Sequence, residues 1–147
     1  MKGLRKHGIP ASLQLDTFQQ WDFPNGWAPL NHIVIESLRQ SNLEAARQKA
    51  VEITDAWIGA NYLVYKQSRD HYMFEKYDVE AEDPSAGRGG EYEVQTGFGW
   101  TNGVVLDLLT TYSNQLKAPP INTAFHLCAT LQQIFACLII FVICMCY

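Results

Sequence analysis

Apolar positions recur at helical spacing in three segments of the chain. In the first segment, residues 29–40, one face carries Leu30, Ile33, Val34 and Leu38. Near the C-terminal end of the body, a second pattern starts at Thr101 or Asn102 and stops before Pro119-Pro120. It places Val105, Leu108, Leu109 and Tyr112 on one side. Both patterns predict amphipathic helices that bury one face.

The clearest pattern lies between these two segments. Seven apolar residues alternate in steps of three and four and form one stripe over about six helical turns. Ser41 and Glu44 match the S-x-x-E capping box and predict the start of this helix. The stripe consists of Leu43, Ala46, Ala50, Ile53, Trp57, Ala60 and Val64. We therefore predict an all-α body built from helical hairpins.

Two segments outside the predicted helices lack a helical period. Residues 67–100 are rich in glycine and aromatic side chains, a composition that favours an ordered, functional loop over a disordered one. The second segment is "QWDFPNGWAPL", residues 20–30. Its prolines stiffen the chain, and Asn25-Gly26 predicts a tight reversal. The segment is either a well-packed helix entry or a sugar-binding wall in which Trp21 and Trp27 offer indole faces and Asp22 accepts hydroxyl hydrogens.

Composition excludes several classes of function. The 147 residues carry a formal net charge of −4 without a basic block, which argues against nucleic acid as the main partner. The chain contains neither a G-K-[ST] phosphate loop nor a G-x-S-x-G elbow. All four cysteines lie in the last twenty residues, and neither His32 nor His71 has a second ligand at metal spacing. We expect no metal and no cofactor.

The C-terminal residues differ sharply from the body. No ionised side chain follows Lys117, and residues 134–147 are apolar without interruption, "IFACLIIFVICMCY". As a helix, this run would rise only about 21 Å, short of a hydrocarbon core of about 30 Å. Small residues at Asn122-Thr123-Ala124 are typical of a lipid-anchor site, and a single span is the alternative. We expect a body at 1–117 and an uncharged spacer with a membrane-anchor tail at 118–147.

Two acids inside aromatic clusters are candidates for chemistry. Glu75 lies between Phe74 and Tyr77, and Glu91 precedes Tyr92. A carboxyl group beside aromatic rings is partly desolvated, which suits proton transfer near neutral pH, and carboxylates over an aromatic floor recur in glycoside hydrolysis. The structural alternatives are a salt bridge or helix-terminal charge for Glu75 and a solvated loop acid for Glu91.

Three stretches together resemble a known family. "QWDFPNGWAPL", "EKYDV" and "GGEYEVQTGFGWTNGV" are similar to the C-terminal third of trehalase, the glycoside hydrolase that splits α,α-trehalose into two glucoses. The resemblance runs from about Gly8 to Tyr112. It implies an (α/α)6 toroid with the active site in loops at one end, and hydrolysis with inversion.

The resemblance also implies roles for individual residues. Glu75 in "EKYD" corresponds to the general base, Glu91 in "GGEY" to a substrate-contacting acid, and Trp21 and Trp27 to the pocket lining. Animal trehalases are often attached to membranes, which implies a cell-surface location and agrees with the tail.

The sequence departs from the family in one respect. The family's general acid, an Asp, and its sugar-gripping arginines have no counterpart here. We expect a C-terminal portion of a trehalase that is inactive alone. The alternative is a non-catalytic, membrane-anchored product that binds sugar or an intact homologue.

Overall fold

The computed structural model describes residues 4–119 of the chain. This part contains three helices and three short strands, and the helices confirm that the body is largely helical. The small sheet was not predicted, so the expectation of an all-α body is incomplete. In chain order the elements are β1 (Asn25–Trp27), α1 (Ala28–Arg39), α2 (Glu44–Gln67), β2 (Lys76–Asp78), β3 (Ser85–Ala86) and α3 (Gly99–Thr111).

The core forms where α1 and α3 pack on the apolar stripe of α2. From Ala50 onward the predicted stripe is confirmed, because Ile53 and Trp57 are fully buried and Val64 is nearly so. Trp57 packs edge-on to Tyr77 of β2, with ring centroids 5.5 Å apart. This contact packs the sheet against the middle of α2. The core residues are Ala28, Ile35, Ala50, Ile53, Trp57, Val64, Tyr77, Val79, Val104, Leu108 and Tyr112.

The buried face of α1 differs from the predicted one. Leu30 is 39% exposed and Ile33 is 61% exposed, whereas Asn31 and Ile35 are completely buried. Asn31 determines which face of α1 points inward, because its side chain forms hydrogen bonds with both the amide and the carbonyl of Ile9 at 2.9 and 3.0 Å. The polar residue therefore faces inward, and part of the apolar stripe stays open.

The predicted capping box at the start of α2 is wrong. The residue before the helix is Leu43, and no side chain caps the first turn. The Ser41 hydroxyl instead accepts a hydrogen bond from the Leu43 amide at 3.2 Å, in the turn before the helix. Helix α3 begins earlier than predicted, at Gly99, and ends at Thr111. Leu109 of its predicted face is 45% exposed.

The three strands pair in the order β1-β2-β3, antiparallel throughout. Asn25 and Gly26 lie in β1, opposite Asp78 and Tyr77, so the predicted tight reversal at this dipeptide is wrong. Glycine is required at position 26 for packing, because a Cβ atom there would lie 2.4 Å from Val79 Cγ1. The sheet thus joins the tryptophan segment to the segment that carries Glu75.

The predicted membrane tail, with its anchor site and apolar run, lies outside the described residues. Within residues 4–119, no helix is both long and apolar enough to cross a membrane.

Candidate active site

Glu75 directly precedes β2, and a backbone hydrogen bond holds it in position. Its amide donates a hydrogen bond to the Gln95 carbonyl at 3.0 Å, next to a bridge between Phe74 and Thr96. The residue is completely buried, yet neither carboxylate oxygen has a hydrogen-bond partner among residues 4–119. A buried polar group without a partner is rare and calls for an explanation, of which a catalytic role is one. Glu75 forms no salt bridge within residues 4–119, so that structural alternative is not supported.

Both predicted acids act on the pKa of Tyr92. Partial desolvation raises the pKa of Tyr92, with further contributions from the negative charges of Glu75 and Glu91. A hydrogen-bond interaction with Glu75 also raises this pKa, although neither Glu75 oxygen has a hydrogen-bond partner of ordinary geometry among residues 4–119. A tyrosine phenol of ordinary pKa 10.0 is protonated at neutral pH, and the raised pKa preserves that state, so Tyr92 is able to donate a hydrogen bond.

Four aromatic rings form a continuous wall beside the sheet. Trp21 packs against Trp27 with ring centroids 4.4 Å apart and ring planes tilted by 34°, and Trp27 meets Trp100 edge-on at 5.8 Å. Trp100 in turn stacks on Phe98 at 4.9 Å. Trp27 is almost fully buried, whereas Trp21 and Trp100 are each 42% exposed. The two predicted tryptophans thus meet, and Trp100 extends the surface that they offer.

Glu91 belongs to a separate loop, residues 85–94, that surrounds a cavity of about 820 Å³. Its side chain is exposed, as is that of Tyr92. Glu75 is not part of the cavity lining. Tyr92, in the same segment, is the residue whose pKa the charge of Glu75 raises.

Asp22 does not face the aromatic wall as an open acceptor. Its carboxylate accepts hydrogen bonds from the amide of Thr17, at 2.8 Å, and from the Thr17 hydroxyl. The hydroxyl bond is the main reason why the pKa of Asp22 is lowered. The Asp22 carboxylate therefore binds the loop of residues 17–22. The hypothesis that it accepts hydroxyl hydrogens of a sugar is not supported.

His32 does have potential co-ligands, contrary to the sequence expectation. One ligand atom each from His32, Glu36 and Asp107 lie within 4.8 Å of one another. His32 Nε2 is 2.8 Å from Asp107 Oδ2, and Arg39 donates to Glu36 at 2.6 Å. That hydrogen bond lowers the pKa of Glu36. Because each carboxylate already has a protein partner, we interpret the cluster as an ion-pair network and assign no metal to it.

Two site residues escaped the sequence reasoning. Lys76 is 1% exposed, and its Nζ lies 5.8 Å from the centre of the Trp27 ring. A lysine is almost never fully buried, so nothing in the sequence marked it. Trp100 ends the stretch "GFGW", and the aromatic residues near it in the sequence are the signal that could have identified it.

Comparison with known proteins identifies the family. The family model described as Trehalase matches residues 1–113, more than half of the chain. The chain belongs to the trehalase family. It is 52% identical over 113 residues to the trehalase of Homo sapiens and 50% identical over 113 residues to that of Oryctolagus cuniculus, covering 77% of this chain and 19% of each relative. The sequence resemblance is therefore confirmed.

More distant relatives extend the range of trehalases that match. The trehalase of Apis mellifera is 44% identical over 128 residues, covering 86% of this chain and 20% of the relative. A periplasmic trehalase of Xanthomonas campestris is 43% identical over 115 residues, covering 76% of this chain and 18% of the relative. The chain thus spans about one fifth of the length of the trehalases that it matches.

Proposed function

We propose that this chain supplies the base-bearing part of a glycoside hydrolase that splits α,α-trehalose into two glucoses with inversion. The observation that carries the proposal is the buried carboxylate of Glu75, which has no hydrogen-bond partner among residues 4–119 and directly precedes Lys76, the strand partner of Trp27. Family membership supports the substrate, because the matched relatives are named trehalases.

The proposed chemistry assigns one role to each acid. In an inverting hydrolysis, a base removes a proton from water as the water oxygen attacks the anomeric carbon. Glu75 acts as that base, because no donor among residues 4–119 occupies either of its oxygens, which leaves them able to accept a hydrogen bond from water. Glu91, on its exposed loop, accepts hydrogen bonds from sugar hydroxyls instead.

The aromatic wall binds the sugar rings. Trp21 is half-exposed and rests on the buried ring of Trp27, so its free face is held in place. A pyranose ring can lie against such a face through dispersion and CH contacts. Hydrolysis also needs an acid that protonates the departing glucose oxygen. We propose that this acid comes from the rest of a full-length trehalase, since the relatives are about five times longer than the matched segment.

The same reasoning extends to architecture and location. We propose that α1, α2 and α3 form part of an (α/α)6 toroid and that residues 1–117 belong to the catalytic body. Exposed apolar residues such as Ile33, Leu43 and Leu106 support this, because a neighbouring layer of helices would cover them. Residues 118–147 would attach the protein to the outer face of the cell membrane, an extracytoplasmic position consistent with the relative named periplasmic.

The proposal is tested by grafting the matched segment of this chain into the human trehalase. Residues 1–113 replace the matching segment of the human trehalase, and release of glucose from trehalose is measured. The graft is expected to be active, and Glu75→Gln in it should lower kcat by about 10²–10⁴-fold, the usual contribution of a general base. Glu52→Gln, on the exposed face of α2, is the matched control and should leave kcat unchanged.

Two outcomes would contradict the proposal. An inactive but folded graft would remove the assignment of trehalase chemistry to this segment. Near-normal turnover of the Glu75→Gln graft would show that another group activates the water.

A further inference from the structure

The loop that carries Glu91 is held by a side chain from β1. The Asn25 amide nitrogen donates to the carbonyls of Asp22 and Arg88 at 2.9 and 2.8 Å, and its Oδ1 accepts from the Arg88 amide at 2.9 Å. Asn25 is 3% exposed, so water does not compete for these bonds. One buried amide group therefore fixes both backbone groups of Arg88.

A side chain from β2 holds the next residue of the loop. Lys76 Nζ donates to the Gly89 carbonyl at 2.5 Å, and the Lys76 carbonyl accepts from the Gly87 amide at 2.9 Å. Lys76 is the residue directly after Glu75, and its ammonium lies over the Trp27 ring. The lysine thus connects the proposed base, the aromatic wall and the loop.

The glycines of the loop show how closely these groups fit. A Cβ atom on Gly87 would lie 2.4 Å from Asn25 Oδ1 and 2.8 Å from Lys76 Cγ. A Cβ atom on Gly90 would lie 2.9 Å from Gln20 Cβ, and Gly90 has φ +101°. Residues 87–90 are therefore fixed from two sides directly before Glu91.

We propose that Asn25 and Lys76 are positioning residues that hold the loop of residues 87–90 and thereby aim Glu91 at the sugar bound beside Glu75. This inference rests on the proposed function for the role of Glu91. The clamp itself, a pair of buried side chains that bind loop backbone, does not depend on it. Neither residue touches the reacting atoms.

The first experiment tests the clamp without any assay of activity. Amide hydrogen exchange is measured in the full 147-residue chain and in its Lys76→Met variant, which keeps the aliphatic stem and removes the ammonium. We expect peptides covering residues 85–94 to exchange about tenfold faster, with α2 unchanged, because local opening of the loop becomes easier. Lys66→Met, at an exposed position near the end of α2, is the control. Unchanged exchange in residues 85–94 would overturn the proposal.

The second experiment tests positioning in the active graft described above. Lys76→Met is expected to lower kcat/KM for trehalose about tenfold by displacing the Glu91 carboxylate. If Lys76 acts through Glu91, the double variant Lys76→Met/Glu91→Gln should be no slower than Glu91→Gln alone, whereas independent effects multiply. A multiplied loss would show that Lys76 only stabilises the fold and would overturn the positioning role.

Asn25→Ala provides a second route to the same answer. It removes the three hydrogen bonds to Asp22 and Arg88, and we expect the same acceleration of loop exchange. If that variant does not fold, Lys76→Met still decides the question. An inactive wild-type graft together with faster loop exchange in Lys76→Met would reject the proposed function and retain the clamp, so the two failures are distinguishable.

Discussion

Replacing Glu75 with glutamine is expected to stabilise the folded chain while it removes the proposed base. The side chain is fully buried, and neither oxygen accepts a hydrogen bond from residues 4–119. Glutamine has nearly the same shape, so the substitution leaves no cavity. An enzyme that keeps a buried, uncompensated carboxylate for catalysis loses stability by doing so. The Glu75→Gln variant should therefore gain stability and lose the base.

The size of the effect follows from the surroundings of the carboxylate. An ion removed from water without a partner costs several kcal/mol, whereas an unpartnered neutral amide costs about 1–3 kcal/mol. The neighbouring Lys76 offsets part of the first cost, since the charge of Glu75 acts on the lysine and raises its pKa against the larger lowering by burial. A net gain of about 1–3 kcal/mol in the free energy of unfolding remains.

The assay is thermal and urea unfolding of the 147-residue chain at pH 7 in a mild non-ionic detergent. Each kcal/mol should raise Tm by roughly 2–4 °C for a chain near this size. Glu52→Gln, an exposed acid on α2, should change stability by less than about 0.5 kcal/mol. A Glu75→Gln variant that is as stable as the wild type, or less stable, would refute the reasoning and point to a hydrogen-bond partner for the carboxylate.

Three further predictions follow from the same structure. Burial raises the pKa of Tyr77 to about 12, so the folded chain holds this proton more tightly than the unfolded chain, whose tyrosine pKa is near 10.0. The contribution of this proton to the free energy of unfolding is complete below pH 10 and should fall by about 3 kcal/mol as the pH rises through 12. Urea midpoints measured over this pH range should show the fall in the wild type and lack it in Tyr77→Phe. Purified residues 1–117 should not release glucose from trehalose, because one base without a proton donor cannot cleave an acetal; sustained turnover would mean that Glu91 or another acid donates. Phospholipase treatment should release the mature protein from membranes, whereas membrane-bound protein that retains Tyr147 would establish a span.

Family and helices could be predicted from the sequence because both depend on local information. The stripe on α2 from Ala50 to Val64 needs only a period of 3.6 residues, and the structure buries it as predicted. The motifs around Trp21, Glu75 and Glu91 were sufficient to indicate trehalase, which the family match confirms. The inward face of α1 could not be predicted in this way. Asn31 is buried there by hydrogen bonds to Ile9, 22 positions away.

The details of the site were decided by tertiary structure alone. Asn25 had been interpreted as a turn residue from its local chemistry, yet it lies in a strand and binds Arg88, 63 positions further along. The sequence neighbours of Glu75 make it a candidate, but its complete burial, with no side-chain partner among residues 4–119, depends on distant segments such as the one that bonds its amide through Gln95. Propensity and periodicity act over a few residues, whereas hydrogen bonds and burial depend on which distant segments the fold brings together. The sequence therefore determined which residues could act, and the packing of distant segments determined which oxygens were left free to do so.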